Sequence, residues 1–298
     1  HLVVLSCVAF LVGICKAFIM GWVHLAKGTL LFLRFLSKVC CGHNCMQAGS
    51  KRMHHAGQIE MDEEHWIYLD EAKKEGISVV AINYRYIRQA QELEPPVKAP
   101  LQDAARALQF VLSKAEEWNI DKERIAAAGS SAGACSSLWL LYHDDLADPK
   151  SEDPIAREST RLYCAAVNNA QTTLDPQQMK AWTPNSKYGG HAFGIDEFNT
   201  FLAERERILP WIQAYSPYAL VSSDDPPVYL YYKAPPAIGE VQKDPTHTAN
   251  FGVKLQERCL ELGLKCELVH PLTKKVKHKD STAYLIDTLK IKDDTPLG

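Results

Sequence analysis

From Ile77 onwards short apolar runs alternate with amphipathic stretches, and that alternation is what most limits the fold of this chain. Ile77 to Tyr84, Ile125 to Gly129, Leu162 to Val167, Val228 to Tyr232 and Cys266 to Val269 have the length and residue types of buried strands. Between the first two, Leu101, Ala105, Leu108, Leu112 and Ala115 recur at spacings of three and four, which predicts a helix entered at Pro100. Ala132 to Tyr142 predicts a second helix. Phe251, Leu255, Cys259 and Leu262 mark one face of a third, stopped by Gly263, and Thr282 to Leu289 predicts a last one. Strands alternating with helices predict an α/β domain, with a mostly parallel central sheet and helices on both faces. Ligands of such sheets bind at the carboxyl ends of the strands, so the residues that follow each strand are where chemistry is expected.

Composition permits this and narrows the partners. The 298 residues suffice for one large domain, and 46% hydrophobic with 23% charged residues is ordinary for a globular chain. A net charge of -3 does not point to the basic face of a nucleic-acid binder, so no nucleic acid is expected as partner. Nine cysteines without regular spacing make a poor disulfide framework. Cys135, Cys164, Cys259 and Cys266 read as small buried hydrophobes.

Residues 1–60 are atypical, and the coherent pattern belongs to 61–298. From Leu2 to Ala26 the one fully charged residue is Lys16. Three readings are open: a membrane anchor, since the stretch is long enough to span a bilayer; a buried strand at Leu2 to Leu5 followed by core; or a misread segment. In the third case, the codons open to Val8 to Cys15 admit a glycine-rich loop. Cys40-Cys41-Gly42-His43-Asn44-Cys45, with His54-His55 nearby, meets only half of a structural zinc pattern, so no metal is expected.

Gly129-Ser130-Ser131-Ala132-Gly133 joins the strand at Ile125 to the helix at Ala132. This is G-x-S-x-G in the strand–turn–helix setting the motif requires. The two glycines leave room for a tight turn that lifts the Ser131 hydroxyl over the sheet. The Ala132 backbone N–H, at a helix N-terminus, is placed to donate to an oxyanion. The plain alternative is a turn whose serine only caps the helix.

Several runs besides this one resemble the esterase/lipase branch of the α/β-hydrolases, which includes hormone-sensitive-lipase-like and feruloyl-esterase-like enzymes. They are Asn83-Tyr84-Arg85, Asp103, Trp118-Asn119-Ile120-Asp121, Arg124-Ile125, Ser216-Pro217-Tyr218 and Asp225-Pro226-Pro227. The resemblance covers roughly residues 66 to 290. It implies the α/β-hydrolase fold and a serine carboxylic-ester hydrolase without cofactor, with Ser131 as nucleophile. The substrate would be a small-molecule or polysaccharide-linked ester.

In that family the acid follows the nucleophile in the chain and the histidine comes last. The loop after Val228 to Tyr232 holds Glu240 and Asp244, and Asp244, directly before a helix, is the favoured acid. His278, after the last core strand and ahead of a helix, is the expected base, with His247 as runner-up. The expected catalytic set is therefore Ser131, Asp244 and His278, with Ala132 as backbone donor. A second oxyanion donor from a His-Gly-Gly loop has no counterpart in the sequence. That gap keeps open a non-catalytic binding protein on the same fold, and triad order alone does not exclude a peptidase.

The stretch from about 171 to 222 is long for a connection between strands and reads as a lid-like insertion. Its Trp182, Tyr188-Gly189-Gly190-His191 and Trp211 either line an acyl or aryl pocket or pack the insertion itself.

Overall fold

The fold was analysed in a computed structural model. The structure describes residues 2–7 and 71–290. Six strands form one sheet in the order β2-β1-β3-β4-β5-β6, with every neighbouring pair parallel. They are β1 (Leu2–Cys7), β2 (Ile77–Ile82), β3 (Ile125–Ser130), β4 (Cys164–Asn168), β5 (Val228–Tyr231) and β6 (Cys266–Val269). Helices are α1 (Lys98–Ser113), α2 (Ala115–Trp118), α3 (Ala132–Tyr142), α4 (Pro176–Trp182), α5 (Phe198–Ala203), α6 (Arg205–Tyr215), α7 (Pro217–Leu220), α8 (Asn250–Glu261) and α9 (Ser281–Lys290).

The strand period of two sorts the core into two layers. Ile125, Ala127, Ala165, Val167, Val228, Leu230 and Leu268 face one side, where α1, α3, α8 and the β4–β5 connection bury Leu101, Leu108, Leu138, Leu255 and Phe201 against them. Ala126, Ala128, Cys164, Ala166, Tyr229 and Val269 face the other, where α9 lays down Tyr284, Leu285 and Leu289. Each such leucine contributes about 1.5–3 kcal/mol of burial. The small alanines of β3 allow α3 to lie close over the sheet.

Local signals fix the ends. Gly76 and Gly263 take φ of +75° and +77°, conformations that favour glycine, and each precedes the approach to a strand. Helix α1 starts at Lys98 rather than at Pro100, so Pro100 sits in its first turn, where a missing N–H costs nothing.

β1 lies between β2 and β3, so the order in which strands are added reverses there. Such a reversal leaves a crevice at the carboxyl ends, and Ser131 follows β3 at that crevice. Of the N-terminal readings, the strand is the one the described residues contain, extended to Cys7. The remaining anchor, misreading and zinc readings concern positions outside the described residues. Among the described residues no helix is long and apolar enough to cross a membrane.

Candidate active site

Ser131 stands between the last residue pair of β3 and the first turn of α3, at φ +53° and ψ −118°. A side-chain-bearing residue is rarely held there, at a cost of about 1–3 kcal/mol. The packing shows what enforces it. A Cβ on Gly129 would lie 2.4 Å from the Gly133 carbonyl carbon, so strand and helix approach closely at this point because neither residue carries a side chain. The Ser131 N–H donates to the Asn168 carbonyl at 3.1 Å, and its carbonyl accepts from the Cys135 N–H at 3.0 Å. The backbone is thus held from both sides. The hydroxyl makes no capping bond to the helix, against the plain alternative.

The Ser131 hydroxyl instead meets His247 Nε2 at 2.8 Å, and His247 Nδ1 meets Asp244 Oδ2 at 2.8 Å. Asp244 and His247 come from one turn in the long loop between β5 and α8. Asp244 Oδ1 also accepts the N–H groups of Thr246 and His247, at 3.1 and 3.3 Å, so the aspartate folds the loop around itself. Partial burial works to raise the Asp244 pKa, but the bonds from the imidazole and these backbone groups outweigh it and hold it below the usual carboxylate value. An ionised Asp244 only accepts, so Nδ1 carries the proton and Nε2 is left to accept from the serine. Glu240, the other acid considered, is exposed in the preceding turn.

The loop is braced against the β4–β5 connection. Gln171 Nε2 donates to the Thr246 carbonyl at 3.0 Å. Asn185 donates to the Gln242 carbonyl at 2.8 Å and accepts the Gln242 N–H at 3.0 Å. Asn250, fully buried, accepts the Ala237 N–H at 2.7 Å and donates to the Trp182 carbonyl at 2.8 Å. A buried amide so satisfied positions whatever it ties together.

His278 is elsewhere. Its Nδ1 meets Glu267 Oε2 at 2.6 Å and its Nε2 meets Asp287 Oδ2 at 2.9 Å, while its backbone N–H donates to Glu267 Oε1 at 2.9 Å. Glu267 pairs with Tyr229 in register and lies on the α9 side of the sheet. The expectation that His278 meets Ser131 is therefore corrected. Its ring is buried under the sheet with both nitrogens occupied, and the structure brings the runner-up, His247, to the serine instead. The sequence signal was the three-residue spacing of Asp244 and His247, which suits a hydrogen-bonded pair within one loop turn.

The aromatics of the connection separate. Trp182 is buried against Tyr218 and Phe251, at ring distances of 5.2 and 6.2 Å, and Trp211 packs beside Phe193. Tyr188 stays 47% exposed, its ring 4.4 Å from that of His191. A narrow cleft of about 10 Å³ runs between Tyr188, Lys187, Ser186, Gln171, Pro245 and Thr246, beside His247. A wider groove of about 540 Å³, lined by Gln177, Lys180, Leu202 and Arg205, contains none of Ser131, Asp244 and His247. Cys135, one turn beyond Ser131, is no rival nucleophile, because burial pushes its thiol up to about 12.

The BD-FAE family model matches residues 53–234, more than half of the chain. The chain belongs to the BD-FAE family. Solved structures similar to this BD-FAE chain share the α/β-hydrolase fold. The acetyl ester-xyloside bifunctional hydrolase of Caldicellulosiruptor lactoaceticus is 25% identical, with a TM-score of 0.50 over 70% of this chain and 64% of its own. This chain thus spans slightly less than two thirds of that enzyme. A truncated carbohydrate esterase from gut microbiota is 18% identical, with a TM-score of 0.53 over 74% of this chain and 77% of its own. Esterase 2 of Thermogutta terrifontis, phosphonylated by sarin, is 20% identical, with a TM-score of 0.50 over 74% and 72%. No curated protein matches the chain.

Proposed function

We propose that this BD-FAE chain hydrolyses carboxylic esters through an acyl-enzyme, with Ser131 as nucleophile, His247 as general base and Asp244 as the group that orients it. The observation that carries the reading is the line of two 2.8 Å contacts from Ser131 through His247 to Asp244, at the carboxyl end of the sheet. Ser131 Oγ attacks the carbonyl carbon as its proton passes to Nε2. The oxyanion meets the Ala132 N–H, one of the α3 donors that has no partner within the helix. His247 then gives the proton to the leaving alcohol as the C–O bond breaks. Water, activated the same way, releases the acid and restores Ser131. Asp244 holds the imidazole in the required tautomer and stabilises its charged form.

The xyloside and carbohydrate esterases among the similar structures support a small-molecule or polysaccharide-linked ester, such as an acetylated sugar, as substrate. A fluorophosphonate probe tests the nucleophile. It is expected to label the wild-type chain at Ser131 and to leave a folded Ser131→Ala variant unlabelled. Retained p-nitrophenyl acetate hydrolysis in that variant overturns the reading.

A further inference from the structure

The β4–β5 connection is rich in aromatic rings, and nearly all of them are spent on packing. Trp182, Phe193, Phe198 and Phe201 are at most 8% exposed. Trp211, Tyr215 and Tyr218 are half-buried, and Tyr188 is the exposed one, followed by two glycines. Gly189 has φ +114°, and a Cβ on Gly190 would lie 2.3 Å from the Ile195 carbonyl oxygen, so the turn after Tyr188 accommodates only these glycines. The turn sets His191 against the Tyr188 ring at 4.4 Å and an angle of 53°. Burial pulls the His191 pKa down.

This ring pair adjoins the reacting groups. Tyr188 shares its cleft with Pro245 and Thr246, the two residues ahead of His247. On the other side, burial and the neighbouring Cys135 thiol push the Tyr188 phenol up, and the Cys135 N–H is bonded to the Ser131 carbonyl. The ring therefore stands beside the loop that carries His247.

We propose that Tyr188, backed by His191, is a stacking platform for the sugar ring of an ester whose acyl group is presented to Ser131; this rests on the esterase reading above. The shape selects a sugar over an aromatic acyl group. An enclosed aryl ring needs a deep apolar slot, whereas ligand-enclosing pockets run to about 300–1,000 Å³ and this cleft is far smaller. A half-exposed ring leaves apolar surface open to solvent. The apolar C–H face of a pyranose fits such a platform, and its hydroxyls remain in water or reach Lys187, which is exposed at the edge.

The test separates binding from turnover. In a Ser131→Ala background, affinity for an acetylated xylo-oligosaccharide is measured by calorimetry. Tyr188→Ala is expected to weaken it about fivefold, the weight of one aromatic contact, and Tyr188→Phe to retain it. Tyr188→Leu, which keeps apolar bulk and removes the ring, repeats the comparison where alanine disturbs the turn. In the active protein, Tyr188→Ala is expected to lower kcat/KM for the oligosaccharide more than for triacetin. Unchanged affinity in both Tyr188→Ala and Tyr188→Leu, or no binding in the background, overturns the platform. Failure of the esterase reading shows differently, as an unmodified chain that hydrolyses neither ester.

Discussion

Among the described residues two histidines have a polar partner on each ring nitrogen, and one of the two is arranged as a base. His247 has one ring nitrogen on a carboxylate and the other on a serine hydroxyl. His278 has a carboxylate on each nitrogen. With a carboxylate on each side, His278 has no ring nitrogen free to take a substrate proton. The surroundings agree. The His247 side chain is 35% exposed above the sheet, whereas His278 is 7% exposed, with Tyr284 edge-on to its ring at 5.3 Å. A histidine beside an acid is thus not a sufficient mark of catalysis, and what decides is whether the second nitrogen is free to accept.

The sharpest way to break the comparison is to remove each ring. His247→Ala is expected to lower kcat on p-nitrophenyl acetate by about 10⁴-fold or more, since triad members act as a unit. Its melting temperature should stay within a degree or two. A His247→Ala enzyme of near-normal kcat, with His278→Ala inactive yet equally stable, would reverse the assignment. Next in size is Asp244→Asn, which keeps the shape but favours the wrong tautomer. A loss on the order of 10³–10⁴ in kcat is expected, and Glu240→Gln should change kcat less than twofold.

The fold was far more legible than the pairing of its loops. Strands at Ile125, Val228 and Cys266 and helices at Ala132 and Phe251 are readable because burial imposes a period on the sequence, and the structure has elements there. The Ser131 turn is readable because its close approach demands a glycine at 129, at a fixed spacing from the serine. No such local demand selects between His247 and His278. Chain order favours the later histidine, but that choice turns on which face of β6 Glu267 occupies. Glu267 lies opposite Tyr229, on the side covered by α9, and it draws His278 beneath the sheet. The aromatics were ambiguous for the same reason, since composition shows rings without showing which of them are covered.

His278→Ala should act on stability. Removing a ring bonded to two partly exposed carboxylates is expected to cost about 2 kcal/mol, seen as a fall of roughly 4–8 °C in Tm, with kcat per folded molecule little changed. The acid side of this cluster has a definite sign. Bonds from His278 and then Lys277 hold the Asp287 carboxyl below its usual value. Its contribution is therefore present above the unfolded carboxylate pKa of about 3.9 and is lost as pH falls through the lower folded value. The Tm difference between wild type and Asp287→Asn should be present at pH 5 and shrink below about pH 4. A difference that persists at pH 2.5 would show that Asp287 acts through packing instead.

The smallest effect bears on why a base and its acid can share one long loop. A loop of this kind has to be held by something other than a strand end, and Gln171 does this through one bond to the Thr246 carbonyl, next to His247. Gln171→Met keeps the length of the side chain and removes the donor. One lost hydrogen bond is about 1 kcal/mol. If that energy serves to hold His247 on Ser131, kcat falls about fivefold at unchanged KM, because the defect lies in alignment and not in substrate contact. The pH dependence of kcat/KM separates this from a general loosening. Gln171→Met should lower the plateau, and raising the temperature should widen the gap to wild type, as a loop held by one bond fewer samples more positions. An equal fall in kcat for Gln171→Met and for an exposed change remote from the site, such as Lys150→Met, would remove Gln171 from the account and leave Asp244, Asn185 and Asn250 to organise the loop.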